Sequence, residues 1–450
     1  MTLRFGTDGV RGHADELTDE LVTALGRAAA RVLAADLVGA HDRRFVIGRD
    51  PRESGPRIER ALVAGLALER VGAELAGVVP TPAVAWIAAA RAVPAAMISA
   101  SHNPFHDNGI KFFAAGGSKL PDTVEARLEA LLDDLVHGRG PSPAPVPAGP
   151  PEGGGADVER YALAVANSIE GRTLEGVSVV LDCANGAASE LAPQIYRRLG
   201  ARVSVIHAEP DGRNINLGCG STNPADLQAA VRAAGADAGL AFDGDADRVL
   251  AVDEQGALID GDHLIAMFAV DRRARGRLVG DGVVVTVMTN LGFRLAMAEH
   301  GIRVVETPVG DRNVLEALEA EGLALGGEQS GHIIFRDLAG TGDGLLTGVQ
   351  LLDLCRRAGR PLSALAAGAM TRLPQVLRNV RVARRDPAIV DAVAAEVAAA
   401  EAELGSRGRV LVRASGTEPL VRVMVEADRA DQADAIAERL VRAVERAAQP

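Results

Sequence analysis

Short apolar runs alternate with longer amphipathic segments along most of this chain. The run RFVIGRD precedes the helical pattern SGPRIERALVAGLALERVG, and the runs GVSVVLDCANG and DGVVVTVMTNLG each precede a helical pattern and a further apolar run. Strands that are followed repeatedly by helices are typical of doubly wound α/β domains. The pattern therefore predicts such domains, in which ligands bind beyond the carboxyl ends of the strands.

Breaks in this alternation divide the chain into four predicted domains. The clearest break is the Pro- and Gly-rich stretch at residues 138–157, and others lie near residues 256–262 and 372–374. After the last break the pattern becomes a strand, one long helix over PAIVDAVAAEVAAAEAELG, two strands and a helix. We therefore expect three α/β domains with mixed sheets at residues 1–157, 158–256 and 257–372, and a C-terminal α+β domain at residues 373–450.

Composition narrows the class of protein. With 48 Lys and Arg against 60 Asp and Glu, the 450-residue chain has a formal charge of −12, and only 3% of its residues are aromatic. Nucleic-acid binding by a basic or stacking surface is therefore not expected. The start lacks an apolar signal-peptide core, and charges and prolines break the longest apolar stretch, so neither a signal peptide nor a membrane span is predicted. Three scattered cysteines without a CxxC spacing suit a reducing cytosol.

The segment MISASHNPFHDNGIKFF, residues 97–113, places Ser101 between small and turn-forming residues. A hydroxyl in this setting is either an exposed nucleophile or a loop serine that caps the next element. The segment alone favours the second interpretation. The other motifs of the chain decide between the two.

Three aspartates, Asp243, Asp245 and Asp247, alternate in the segment GLAFDGDADRVLAVDE. Crowded carboxylates repel one another unless a cation lies among them. An EF-hand is rejected because Arg248 stands where that loop needs glycine, and because the flanks are predicted strands instead of helices. The motif therefore predicts a strand-end Mg²⁺ site open to a phosphate oxygen, with Arg248 available for a second oxygen.

Two further loops carry groups that suit a phosphorylated sugar. The segment GGEQSGH offers a carboxylate, a hydroxyl and an imidazole for sugar hydroxyls, on Glu328, Ser330 and His332. The segment RASGTEPLVRV offers backbone N–H groups, hydroxyls and guanidinium groups for a phosphate, on Arg413, Ser415, Gly416, Thr417 and Arg422. The alternative for the first segment is an ordinary polar turn, and the alternative for the second is a hairpin with solvated arginines.

Together the motifs supply a nucleophile, a metal site and a clamp for the substrate, which is what phosphoryl transfer requires. Their order, from FGTDGVRG at Phe5 to RASGTEP, resembles the α-D-phosphohexomutase family over essentially the whole chain, and within it the members that act on glucosamine phosphates. The resemblance implies a four-domain arrangement around a central cleft. It also implies that Ser101 is a phosphoserine, and that its phosphate and Asp243, Asp245 and Asp247 bind one Mg²⁺ per chain.

The resemblance assigns further roles. Lys111 matches a family lysine that acts in proton transfer, and Arg11 and His102 match residues that line the same pocket. His102 is equally well explained as a residue that orders the loop through a hydrogen bond.

The implied reaction interconverts glucosamine 6-phosphate and glucosamine 1-phosphate through glucosamine 1,6-bisphosphate, and this compound or a similar hexose bisphosphate is the expected activator. Such an isomerase, an intramolecular phosphotransferase, would feed cytoplasmic UDP-N-acetylglucosamine and cell-wall precursor synthesis. Ser99 favours the amino sugar, since hexose-preferring relatives more often carry threonine there. We expect a phosphosugar as the binding partner, with no nucleic acid or membrane, and homodimer formation stays open. A phosphosugar sensor and a metal-dependent phosphatase are the alternatives from other classes.

Overall fold

The computed structural model describes residues 5–6, 9–34, 43–138, 152–383, 386, 388–415 and 419–448. They fall into two compact units. The first unit comprises Met1–Val287 and Val304–Ala366, and the second comprises Met288–Arg303 and Ala367–Pro450. The central part of the predicted linker, residues 139–151, lies outside the described residues.

The first sheet has seven strands with mixed pairing. In spatial order they are β1 (Phe5–Gly6), β2 (Gly9–His13), β6 (Asp107–Phe113), β5 (Ala95–Ile98), β3 (Arg44–Arg49), β4 (Gly72–Val78) and β7 (Glu152–Gly153). β3 pairs in parallel with β4 and β5, whereas β6 is antiparallel to β5 and β2. Four helices accompany this sheet, namely α1 (Asp19–Leu33), α2 (Gly55–Leu68), α3 (Thr81–Arg91) and α4 (Asp122–Val136).

The first helix shows how the sequence sets these elements. Thr18 caps α1 by accepting a hydrogen bond from the Leu21 N–H at 3.3 Å, and acidic residues occupy the first turn, where the helix dipole favours them. Its buried face, which includes Val22 and Leu25, packs in the apolar core of this sheet together with Phe45 and Ile47 of β3. This packing fixes β3, and with it the loop that follows its carboxyl end.

Two smaller mixed sheets follow in the first unit. The second sheet has the order β12 (Leu258–Ile259), β11 (Val249–Asp253), β10 (Ala238–Phe242), β8 (Ser178–Asp182) and β9 (Arg202–Ile206). The third has the order β14 (Arg303–Thr307), β13 (Gly282–Thr286), β15 (Leu325–Gly327) and β16 (Ile333–Phe335). The first unit also contains α5 (Gly155–Asn167), α6 (Ala188–Arg198), α7 (Ala225–Ala234), α8 (Gly261–Ala274), α10 (Asp311–Glu321) and α11 (Gly344–Ala358). Helix α9 (Leu291–Glu299) belongs to the second unit, and α12 (Leu362–Ala369) includes residues of both.

The second unit contains a three-stranded antiparallel sheet. Its order is β17 (Gln375–Arg381), β19 (Leu420–Glu426) and β18 (Arg409–Ala414), and α15 (Ala430–Ala447) packs on it. Short 3₁₀ turns at Val279–Asp281 and Gly405–Arg407 lie in the first and second unit, respectively.

The prediction of one long helix before β18 was wrong. The segment forms two helices, α13 (Ala388–Ala392) and α14 (Ala394–Leu404). The N–H of Val393 donates to the carbonyl of Val390 at 3.3 Å, so the backbone tightens there, and the Val393 side chain is only 1% exposed in the core. Val393 has a φ of −105° and a ψ of 9°, outside the helical region, and so separates the two helices.

Three mixed α/β sheets followed by an α+β unit confirm the predicted fold class. Among the described helices, none is both long and apolar enough to cross a membrane. The bounds of the four predicted domains stay a prediction, because the compact units follow a different division.

Candidate active site

Ser101 lies in the loop that follows β5, where the strand ends at Ile98. Its hydroxyl donates a hydrogen bond to Oδ2 of Asp243 at 2.7 Å, and its backbone N–H donates to Oγ of Ser99 at 2.9 Å. The residue is 1% exposed and has a φ of 54°, a left-handed conformation that costs a non-glycine residue about 1–3 kcal/mol. The surrounding contacts must therefore hold this serine in place.

Arg52, which follows β3, supplies most of those contacts. Its guanidinium donates to the carbonyl oxygens of Ser101 at 2.9 Å and Asn103 at 2.8 Å, and it also contacts the carbonyls of Pro104 and Asp107. Arg52 is fully buried and pairs with the buried carboxylate of Asp50, Nε to Oδ2, at 2.9 Å. Arg52 was not among the predicted site residues, although GRDPRESG places charges directly after a strand.

Asn216 holds the same loop from the segment between β9 and α7. Its side-chain amide donates to the carbonyl oxygens of Ser101 at 2.9 Å and Asn103 at 3.1 Å. Because 115 positions separate Asn216 from Ser101, no local sequence pattern indicates this contact. Arg52 and Asn216 together determine where the Ser101 backbone lies.

The three aspartates form the loop that joins the antiparallel strands β10 and β11. One carboxylate oxygen from each of Asp243, Asp245 and Asp247 lies within 4.8 Å of the other two, and all three residues are buried. Gly244 is required for this arrangement, since a Cβ atom there would lie 2.5 Å from the carbonyl oxygen of Ser101. The loop thus approaches Ser101 as closely as backbone contact allows. The strands on either side of the loop agree with the rejection of an EF-hand, which needs helices there.

Lys111 supplies positive charge to this cluster. Its Nζ lies 2.8 Å from Oδ2 of Asp245 and 3.3 Å from Oδ2 of Asp247, with the side chain 3% exposed. It lies within the strand β6, which runs antiparallel to β5. Thr81 also donates a hydrogen bond to Oδ2 of Asp245, at 2.6 Å.

The carboxyl groups have opposite pKa shifts. Burial raises the pKa of Asp243 well above its ordinary value, and the charges of Asp247 and Asp245 raise it further. Burial also acts to raise the pKa of Asp247, but Lys111, His332 and Arg248 outweigh it and hold that pKa well below the usual range. A cluster with this unequal distribution of charge favours an added cation next to Asp243.

Unpartnered oxygens support the metal interpretation directly. Oδ1 of Asp245 and Oδ1 of Asp247 are buried and have no hydrogen-bond partner among the described residues. Buried carboxylate oxygens are rarely left without partners, and such oxygens are the ligands that hard divalent cations prefer. The triplet therefore fits a divalent metal ion.

Arg248 and His102 border the cluster on the side of Ser101. Nη1 of Arg248 lies 3.2 Å from Nδ1 of His102, which is 3.4 Å from Oγ of Ser101. Burial, Arg248 and Arg11 lower the pKa of His102 to about 4, so its imidazole is neutral at neutral pH and Nδ1 accepts the hydrogen bond from Arg248. Arg11 lies on β2, half-buried, and its charge acts on the same imidazole.

The predicted sugar-binding loop lies between β15 and β16. Glu328 is 8% exposed, and its Oε1 accepts a hydrogen bond from the Gly310 N–H at 3.0 Å, while Ser330 is exposed at the turn. Burial acts to lower the pKa of Arg248, but the charges of Asp247, Asp243 and Glu328 raise it above its ordinary value. Glu328 therefore interacts electrostatically with Arg248, as the aspartates do.

His332 lies beside the aspartate cluster. It is 1% exposed, its Nδ1 lies 3.7 Å from Oδ1 of Asp247, and its Nε2 accepts a hydrogen bond from the Gly342 N–H at 3.1 Å. These contacts suit a side chain that orients Asp247. Its assignment to sugar hydroxyls stays a prediction.

The predicted phosphate loop belongs to the second unit. Arg413 of β18 and Arg422 of β19 are directly opposite in the antiparallel register, and both are half-buried. Burial and the charge of Arg422 lower the pKa of Arg413. Two like charges opposite one another destabilise a sheet unless an anion lies between them. Ser415 is buried at the end of β18, whereas Gly416 and Thr417 lie outside the described residues.

In chemical terms, the first unit brings a serine hydroxyl, three carboxylates, a lysine and an arginine into one buried cluster. The second unit brings two arginines together. The first set suits transfer of a charged group to or from the serine, and the second suits an anion.

Comparison with known families covers almost the whole chain. Models of the four domains of the phosphoglucomutase/phosphomannomutase family match this chain in order. They are alpha/beta/alpha domain I at residues 2–137, domain II at 159–256, domain III at 260–373 and the C-terminal domain at 377–443.

Individual proteins are also similar to this chain over almost its whole length. Phosphoglucosamine mutase from Moorella thermoacetica is 54% identical over 432 residues, 94% of each chain, and that from Desulforudis audaxviator is 52% identical over 451 residues, covering 99% of this chain and 98% of its own. A phosphoglucomutase/phosphomannomutase family protein from Burkholderia thailandensis has a TM-score of 0.81 at 25% identity, covering 99% of this chain and 98% of its own. N-acetylphosphoglucosamine mutase from Aspergillus fumigatus, solved with GlcNAc-6P and magnesium, shares the fold at 20% identity, with a TM-score of 0.71 and coverage of 100% and 96%.

Proposed function

The chain belongs to the phosphoglucomutase/phosphomannomutase family, the α-D-phosphohexomutases, and we propose that it interconverts glucosamine 6-phosphate and glucosamine 1-phosphate. It is thus an isomerase that moves a phosphoryl group within one sugar. The names of the relatives that are 51–54% identical to it support the amino sugar as the substrate.

One observation carries the proposal. The Ser101 hydroxyl donates to Asp243 at 2.7 Å, and Asp243 shares a buried cluster with Asp245 and Asp247. A serine whose oxygen adjoins a cation site is positioned to carry a phosphoryl group. An ordinary capping serine needs neither the buried carboxylates nor the left-handed backbone of this loop.

We propose that Asp243, Asp245 and Asp247 hold one Mg²⁺, together with an oxygen of the phosphate carried by Ser101. When bound, Mg²⁺ would neutralise charge on the transferring phosphoryl group. The fit of the residues rests on the unpartnered oxygens of Asp245 and Asp247.

The chain's own residues then act in two half-reactions. A hydroxyl of the monophosphorylated sugar attacks the phosphorus on Ser101, so that a new P–O bond forms while the bond to Oγ of Ser101 breaks, which yields the 1,6-bisphosphate. Lys111, an ammonium group held by Asp245 and Asp247, donates the proton that the leaving oxygen takes up. The attacking hydroxyl releases its proton to the solvent, from which Lys111 is protonated again. The bisphosphate then reorients in the site. In the second half-reaction the Ser101 hydroxyl attacks the other phosphate of the bisphosphate, which restores the phosphoserine and releases the isomerised sugar monophosphate.

Other predicted residues hold the substrate or the loop. We propose that Glu328 and Ser330 bind sugar hydroxyls, and that Arg413, Arg422, Ser415, Gly416 and Thr417 bind the phosphate that is not transferred. Arg248 and Arg11 would bind oxygens of the transferring phosphate. His102, a neutral imidazole that accepts from Arg248, orders the nucleophile loop.

The test measures isomer formation. Purified chain is incubated with glucosamine 1-phosphate, Mg²⁺ and the matching 1,6-bisphosphate, and glucosamine 6-phosphate and inorganic phosphate are both measured. We expect isomer without phosphate release, and loss of the activity in Ser101→Ala. Ser168→Ala, which changes a serine at the end of α5, is the matched control. Inorganic phosphate as the main product would identify a phosphatase, and unimpaired Ser101→Ala would refute the phosphoserine.

The three free cysteines support a cytoplasmic, reducing location, which we propose for this enzyme. Light scattering of the purified chain tests whether it forms a homodimer.

A further inference from the structure

A second group of metal-ligating side chains lies outside the Ser101 cluster. Asp182 ends β8, His207 follows β9, and Cys219 lies in the loop before α7. One possible ligand atom from each of the three lies within 4.8 Å of the others. Asp182 and Cys219 are fully buried, whereas the His207 side chain is 26% exposed and leaves a route to solvent.

His207 lies between two carboxyl groups. Nε2 lies 3.3 Å from Oδ2 of Asp226, and Nδ1 lies 3.2 Å from Oδ1 of Asp182. Nδ1 has no hydrogen bond of acceptable geometry among the described residues. A ring nitrogen that lies beside a carboxyl oxygen and a sulfur atom without a hydrogen bond is placed to bind a metal ion together with them.

We propose that Asp182, His207 and Cys219 bind a transition-metal ion of the zinc type. Oxygen, nitrogen and sulfur ligands from three side chains, with a further position open to water, form a donor set that zinc accepts and that Mg²⁺ does not prefer. Asp226 would act from outside the ligand set, as a carboxylate that fixes the imidazole tautomer. This site is separate from the Mg²⁺ site proposed above and does not depend on it.

Cys219 must lose a proton for the ion to bind. Burial raises the pKa of its thiol to about 12, and the charges of Asp182 and Asp226 add to this effect. The side chain is therefore a thiol without a cation, and binding replaces the S–H bond by a metal–sulfur bond and releases one proton to the solvent.

The position of Cys219 links the site to the nucleophile loop. The Gly220 N–H donates to Oδ2 of Asp182 at 2.9 Å, and Asn216, three residues before Cys219, donates to the Ser101 carbonyl. An ion held by Cys219 would attach this loop to the ends of β8 and β9. We therefore expect ion binding to stabilise the loop and to raise the midpoint temperature of thermal unfolding.

The test uses the full chain after metal removal, in saturating Mg²⁺ so that the aspartate triplet is occupied. Zn²⁺ is titrated while binding and the thermal midpoint are followed, and Co²⁺ is titrated as a spectroscopic probe. We expect one tight Zn²⁺ per chain, a raised midpoint, and near-ultraviolet thiolate-to-cobalt absorption.

Variants locate the site. Cys219→Ser and His207→Gln should lose the cobalt–thiolate absorption, Asp226→Asn should weaken binding by about 10–100-fold, and Cys355→Ser should behave like the unmodified chain. Cobalt–thiolate absorption that persists in Cys219→Ser, or its absence from the unmodified chain, would overturn the proposal. If Cys219→Ser does not fold, the partly exposed His207→Gln decides in the same way.

Discussion

Replacing Lys111 with methionine tests how the charges of the aspartate cluster balance. The lysine lies 2.8 Å from Asp245 and 3.3 Å from Asp247, and all three side chains are at most 4% exposed. Methionine keeps most of the volume and removes the cation, which leaves buried carboxylates uncompensated. Breaking a buried ion pair in this way costs about 3–5 kcal/mol.

The loss of stability expected for Lys111→Met depends on whether Mg²⁺ is bound. One kcal/mol corresponds to about 2–4 °C for 150–250 residues and less for a larger unit, so the thermal midpoint in chelator should fall by about 5–10 °C. With Mg²⁺ at 100 times its dissociation constant, binding adds about 2.7 kcal/mol, and the cation replaces the charge that the variant lacks. The difference between variant and unmodified chain should therefore shrink in Mg²⁺.

Thermal unfolding of both proteins, in chelator and in Mg²⁺, measures this difference. Arg197→Met on the exposed face of α6 is the control and should change the unfolding free energy by no more than about 0.5 kcal/mol. An equal loss with and without Mg²⁺ would refute the reasoning, because the lysine and the metal would then not share the aspartates. Turnover of Lys111→Met should also fall by about 10²–10⁴-fold if this side chain transfers the proton.

Three further predictions concern positions around the reaction. Asn216→Ala removes two hydrogen bonds to the nucleophile loop, worth about 1–3 kcal/mol, so kcat should fall about 5- to 150-fold with little change in KM, and steady-state kinetics checks this. If Arg413 makes the proposed charge-assisted contact to the distal phosphate, kcat/KM of Arg413→Ala should fall about 10- to 150-fold, and an unchanged value would mean a merely solvated arginine. Gly244→Ala places a methyl group 2.5 Å from the Ser101 carbonyl, so Mg²⁺ affinity and turnover should fall together, whereas Gly155→Ala, with open space around it, should leave both unchanged.

The sequence predicted the parts of the site that are local in the chain. Alternating aspartates on a strand-end loop indicated the metal cluster, and the small and turn-forming residues around Ser101 indicated a loop serine. The exposure expected of a nucleophile there was wrong, because the loop packs against the aspartates and Ser101 is only 1% exposed. Arg52 and Asn216 escaped prediction because their partners lie 49 and 115 positions away, and only the packing of separate sheets brings them together.

The burial of His332 and the helix break at Val393 were not predicted from the sequence. His332 shares a short motif with Glu328, yet it turns into the interior beside Asp247, which a glycine-flanked loop does not reveal. The helix break at Val393 is a separate difference: its backbone is not helical, although the composition of the segment favours one helix. The fold class and the family were predictable because strand-and-helix alternation and motif order are properties of the sequence itself.

The central claim is that Ser101 carries the phosphoryl group between the two sugar phosphates. Chain phosphorylated at Ser101, verified by peptide mapping, is mixed with an equal amount of glucosamine 6-phosphate, and protein mass, bisphosphate and inorganic phosphate are measured over one turnover. We expect phosphate to leave Ser101 at the rate at which glucosamine 1,6-bisphosphate appears, without inorganic phosphate. Phosphate found on Ser99 instead, or released to water while the sugar stays a monophosphate, would contradict it.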